Sequence, residues 1–141
     1  MKEQELIART KQFGLRVMNV VRALPKTVEG RAVADQLIRG GTSVGANYRA
    51  ACKARSRAEF LSKLGTVEEE ADETVSWIEL LIDGKFFSEK RLQPLLQEGR
   101  ELVAIFAASR KTTQRNTKSQ IVNRKLQIKR RAQTRKRPRR K

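Results

Sequence analysis

Histidine does not occur in this 141-residue chain, and cysteine occurs once, as Cys52. No imidazole can therefore act as a general base or metal ligand, and a zinc site of the common Cys/His type is excluded. A single thiol cannot close a disulfide within the chain. Aromatic residues make up only 5% of the sequence, and prolines number three. No apolar run approaches the ~20 residues that span a bilayer, and no apolar leader follows the N-terminus. A cytoplasmic protein with no membrane partner and no cofactor is expected.

Acidic residues are missing from one whole region. The chain carries 32 Lys and Arg against 15 Asp and Glu, a formal charge of +17. Residues 1–110 hold 18 basic and 15 acidic side chains, whereas residues 111–141 hold 14 basic and none acidic. The chain thus divides into a nearly neutral body, 1–110, and a polycationic tail, 111–141. In the tail only Ile121, Val122, Leu126 and Ile128 are large and apolar. That is too little burial to offset chain entropy, so a largely disordered tail is expected, with Gln120–Arg131 able to form a helix on a partner. So many like charges point to a polyanion.

In the body, apolar residues recur at spacings of three and four, the helical period, and β-branched alternation is absent. Leu6, Phe13, Val17, Val20 and Leu24 form one stripe, stopped by Pro25. A second helix opens after the N-cap Thr27 and runs to about Arg55 through Ala34, Leu37, Ile38, Val44 and Ala51. Gly40, Gly41, Ser43, Gly45 and Ala46 make it rich in small residues. Glycines cost about 1 kcal/mol each inside a helix, which makes sense where a neighbouring helix approaches closely. One continuous helix is preferred over a break at Gly40-Gly41. A third follows Ser56, with Glu59 completing a capping box, and carries the seam Leu61, Leu64, Glu68, Ala71, Val75, Ile78, Ile82, widened by Phe60, Val67 and Leu81. Asp83-Gly84 closes it, with Gly84 as the terminator. A fourth starts at Ser88, buries Leu92, Leu95, Leu96, Leu102, Val103, Ile105 and Phe106, and fades near Arg110. Long helices with short loops imply an all-α, antiparallel, up-and-down four-helix bundle.

Three constellations stand out. Arg39, Ser43 and Asn47 recur every four residues, so they share one side of the second helix. With Glu73 they form a candidate buried network fixing helix register. The acidic run Glu68, Glu69, Glu70, Asp72, Glu73 offers no facing ligand set for a metal, so its members are expected to pair with Arg39 or Arg49 or to face solvent. The cations Arg49, Lys53, Arg55 and Arg57, near the second turn, either complement a helix C-terminus or form a phosphate-binding surface. Tyr48 and Trp77 read as packing residues, and Cys52 as a small buried hydrophobe.

The segment Gln36 to Leu81 resembles the bacterial four helix bundle protein family, also called the S23 or 23S rRNA-intervening-sequence protein family. Its pattern Q-I-x-R-x-x-x-S-I-x-x-N is matched by Gln36, Leu37, Arg39, Ser43, Val44 and Asn47, and its F-x-x-x-L and later E by Phe60, Leu64 and Glu73. The similarity covers about residues 1–110. The common form continues with an acidic residue where this chain has Tyr48, Arg49, Ala50 and Ala51. The resemblance implies a non-enzymatic bundle, often a homopentamer. It extends distantly to the accessory variability protein of diversity-generating retroelements.

The leading expectation is a non-enzymatic oligomer that binds nucleic acid, RNA before DNA, through phosphate contacts. The candidate contacts are Arg49, Lys53, Arg55 and Arg57 on the body. On the tail they are Arg124, Lys125, Lys129, Arg130, Arg131, Arg135, Lys136, Arg137, Arg139 and Arg140. The alternative is a scaffold docking a protein partner, such as a reverse transcriptase or a ribosome-associated factor, with an incidental tail.

Overall fold

A computed structural model describes residues 2–136. Four helices follow one another: α1 Glu3–Ala23, α2 Val28–Cys52, α3 Arg57–Asp83 and α4 Glu89–Lys136. Each packs on its sequence neighbour, and α4 closes back weakly on α1. This is the expected antiparallel bundle.

Local chemistry sets the helix ends. Thr27 Oγ1 accepts from Gly30 N at 3.1 Å, and Ser56 Oγ accepts from Glu59 N at 3.1 Å, so both caps satisfy an otherwise orphan amide. Glu59 returns its carboxylate to Arg55 N at 3.2 Å rather than to Ser56, so the capping box closes one residue early. The α3 terminus differs from expectation. Gly84 keeps φ −78°, and the left-handed residue is Lys85 at φ 60°. Gly84 N still bonds Leu80 O at 2.8 Å, so the carbonyl is satisfied without the glycine's special freedom.

The core is aliphatic with a few rings. Phe13 and Val17 of α1, Leu37 and Val44 of α2, and Leu102 and Phe106 of α4 are fully buried. The α3 seam runs Leu64, Val67, Ala71, Thr74, Ile78, Leu81, all buried. Leu61 and Ile82 of the expected seam are only partly covered, and Glu68 sits at its edge. Thr74 is tolerated inside because its hydroxyl donates to Glu70 O at 2.7 Å. Across the weakly packed side, Arg9 Nη2 lies 2.5 Å from Glu98 Oε1 and 2.5 Å from Glu101 Oε2, tying α1 to α4. The bond to Glu98 holds the Arg9 guanidinium above its ordinary pKa.

The small residues of α2 do what their cost implied. A Cβ at Gly41 would sit 2.6 Å from Val17 Cγ1, and one at Gly40 would sit 2.6 Å from Thr74 Oγ1. A Cβ at Gly14 would lie 3.3 Å from Gly41 O, so α1 and α2 cross at near-backbone contact.

The largest departure is in the region expected to be disordered. Residues 111–136 continue α4 as helix, and from Lys118 onward every described residue is exposed. No glycine or proline occurs between Gly99 and Pro138. A helix already nucleated in the bundle elongates at one hydrogen bond per residue, and Arg, Lys, Gln and Leu are good formers, so propagation needs no buried surface. The body thus ends in a helical arm. Its exposed stretch is roughly 28 Å long at about 1.5 Å per residue.

Gly41→Ala should destabilise the fold by about 1–3 kcal/mol through overpacking against Val17. Gly65, whose Cβ position is open, should instead gain about 0.5–1 kcal/mol as alanine. Urea unfolding of the two variants checks the opposite signs, and a stabilised Gly41→Ala would contradict the close crossing.

Candidate nucleic-acid interface

The turn joining α2 to α3 lies at the bundle end where α1 begins and α4 leaves. Glu3, Arg55, Arg57, Phe60 and Thr113 line one shallow depression there. Arg49, Lys53, Arg55 and Arg57 are all exposed around this turn. Lys53 caps α2, where a cation complements the helix dipole. The Arg57 guanidinium donates to Gln120 Oε1, so the basic turn touches the root of the arm. The sequence separation of 63 residues between these partners hid this contact.

On the arm, Arg124, Lys125, Lys129, Arg130, Arg131, Arg135 and Lys136 are all exposed. Arg137, Arg139 and Arg140 lie outside the described residues. Lys111, Arg115 and Lys118, which belong to the same basic run, are also exposed, on the side of α4 away from Thr113 and Thr117. The last carboxylate in the sequence is Glu101, so no acidic side chain interrupts the arm.

The expected network of Arg39, Ser43, Asn47 and Glu73 is not assembled. Arg39 is 74% exposed by its side chain and pairs within its own helix, with Asp35 Oδ2 at 3.4 Å. Asn47 Nδ2 donates to Ser43 O at 2.9 Å, again within α2. Glu73 is exposed. Four-residue spacing put the three α2 residues on one side, but that side is the outer edge of the bundle rather than its core. The acidic run also pairs differently: Glu68 accepts from Arg110 Nε at 2.7 Å, and Arg39 and Arg49 take no part.

No three Cys, Asp or Glu side chains among the described residues converge to hold a metal. Tyr48 is buried with its ring 5.3 Å from that of Phe106, and Trp77 is partly buried, so both rings pack rather than offer a base-stacking face. Cys52 is half-buried, and burial pushes its thiol up, which keeps it protonated and unreactive. No helix of the described residues is long and apolar enough to cross a membrane.

Comparison with known proteins covers the bundle and stops at the arm. A profile of the 23S rRNA-intervening sequence protein family matches residues 2–108. A crystal structure of a protein of unknown function from the S23 ribosomal protein family of Bacteroides thetaiotaomicron is similar at 31% identity and a TM-score of 0.73. The match covers 79% of this chain and 99% of that one. No curated protein matches the chain.

Glu70 supplies a pH test of the α2–α3 edge. Burial raises its carboxyl pKa above the ordinary 4.5, and repulsion from Glu73 and Glu69 adds to the shift. A raised folded-state value means that its help to folding is present below the unfolded value and is lost as pH rises through the folded one. At neutral pH the ionised group therefore costs stability. Glu70→Gln should raise Tm at pH 7, and the advantage should vanish below about pH 4. Thermal melts at both pH values decide it, and an equal gain at each would remove ionisation as the cause.

Proposed function

The chain belongs to the 23S rRNA-intervening sequence protein family, and from that premise we propose that it is a non-enzymatic, self-associating bundle that binds nucleic acid in the cytoplasm. One observation carries the reading. Helix α4 runs unbroken from the buried core into an arm without a carboxylate, and the arm's root is tied by Arg57 to the basic α2–α3 turn. Cations on arm and turn offer contacts to phosphate, and phosphate contacts give affinity with little sequence reading.

Self-association is supported by a groove of about 400 Å³ between α1 and α2, lined by Ile7, Gly14, Leu15, Met18, Gly45 and Ala46 among others. Leu15 stands exposed beside it. The family resemblance suggests five copies, and several arms on one particle would raise avidity without new contacts. The same groove favours the second reading, a scaffold docking a protein partner. Leu15→Glu followed by mass measurement in solution separates copies of this chain from a foreign partner: a wild-type oligomer that dissociates in the variant supports the first.

Every buried core residue lies at or before Phe106, so residues 1–110 retain the whole core. Binding of labelled RNA, as strand and as duplex, should weaken steeply with salt for the full chain. The log–log slope should be about −5 or steeper, and should shrink to about −2 or less for residues 1–110. Equal binding by both forms would remove the arm from the function.

A further inference from the structure

The cations of the arm are not spread evenly. Thr113 and Thr117 are half-buried against the bundle end, and Gln120 meets Arg57. The same row, continued outward at spacings of four, seven and four, carries Arg124, Arg131 and Arg135. The lysines Lys118, Lys125, Lys129 and Lys136 recur at seven, four and seven on another row. At about 100° per residue the two rows lie more than a third of a turn apart. Three of the arm's five described arginines, Arg124, Arg131 and Arg135, therefore line the side that faces the bundle end; the lysines, with Arg115 near them, line a flank turned away from it, and Arg130 lies about a third of a turn from either row.

This segregation has chemical meaning. A guanidinium is planar, weakly hydrated and able to bind a phosphate through two parallel hydrogen bonds, whereas an ammonium is a strongly hydrated point charge. Beyond Gln120 none of the three arginines meets a carboxylate within the described residues, and all are exposed. Arg57, with Arg55 and Lys53 beside it, closes the corner at the arm's root.

We propose that the inner corner between the arm and the bundle end is the binding cleft, and that it holds one sugar–phosphate backbone of a nucleic acid along Arg124, Arg131 and Arg135. The lysine row acts only through its long-range field. This inference rests on the nucleic-acid reading above, but asks more of it: the arm must be helical, because only a helix aligns Arg124, Arg131 and Arg135. Gln120 to Arg135 spans roughly 22 Å, about six or seven nucleotides at 3.4 Å per step of one strand.

The test uses the full chain and three exposed-site variants that leave the core untouched. Arg124→Gln/Arg131→Gln/Arg135→Gln and Lys118→Gln/Lys125→Gln/Lys129→Gln each remove three charges. Leu126→Pro removes no charge but breaks the helix midway. Fluorescence anisotropy with one labelled 20-mer RNA, as strand and as duplex, at a single salt concentration reads the affinity, and poly-glutamate serves as a non-phosphate polyanion. The arginine triple should lose about 30-fold and the lysine triple under about 5-fold. Leu126→Pro should lose about 10-fold, and poly-glutamate should bind weakly. Equal losses in the two triples, or an unaffected Leu126→Pro, would overturn the cleft while leaving an electrostatic arm intact. Poly-glutamate binding as tight as RNA would overturn phosphate recognition. If the wild-type chain binds no RNA, both readings fall.

Discussion

The anchoring of one face of α4 is the constraint on which the rest depends. Leu95, Leu102 and Phe106 are buried against the bundle, and Arg110 is held by Glu68 at 2.7 Å. A helix gripped over its first five turns cannot rotate its free end independently, because each residue's azimuth follows from the one before. The side the arm presents to the bundle end is thus decided more than 20 Å away, in an apolar core that touches no ligand. Arg57 meeting Gln120 marks the last point at which the bundle steers the arm.

The charge distribution follows from the same division of labour. In the body, carboxylates are matched to guanidinium groups across helices: Arg9 with Glu98 and Glu101, Arg100 with Glu79, Arg110 with Glu68. These exposed and half-exposed pairs add modest stability and mainly keep the body's surface near neutral. The arm has no such partners. Lys125 with Lys129 and Arg131 with Arg135 are like charges at i and i+4, which weakens a helix by a few tenths of a kcal/mol each. Elongation from the bundle offsets that strain, and a bound phosphate backbone would relieve it.

The family-matching residues of α2 illustrate how a pattern can be right about spacing and silent about direction. Arg39, Ser43 and Asn47 do share a side, as their four-residue repeat requires. Their neighbours Leu37 and Val44 take the core, which leaves the polar row at the bundle's edge, where Arg39 turns to Asp35. Glycine tells a similar story from the other direction. Gly40 and Gly41 carry no side chain, yet their positions permit the tightest crossings in the bundle, against Thr74 and Val17.

Helical periodicity, the caps at Thr27 and Ser56 and the stop at Pro25 were legible in the linear order of residues, because each depends on neighbours within one turn. So was the bundle architecture, since amphipathic stripes are local sums; the change in charge after Arg110 was equally plain in the sequence, but α4 runs through it without a break. The α3 seam was half legible. Leu64, Ala71, Val75 and Ile78 of the heptad and the flanking Val67 and Leu81 are buried as the spacing implied, but the burial of Thr74 and the partial exposure of Leu61 and Ile82 depend on where α2 and α4 lie. Three things belonged to the tertiary structure alone. The bond from Arg57 to Gln120 needs the α2–α3 turn and the middle of α4 to meet at one end of the bundle. The helical arm needs a helix already nucleated by packing to grow from. The row of Arg124, Arg131 and Arg135 has no inner side until the core fixes which way α4 faces, because a lone helix has no inside.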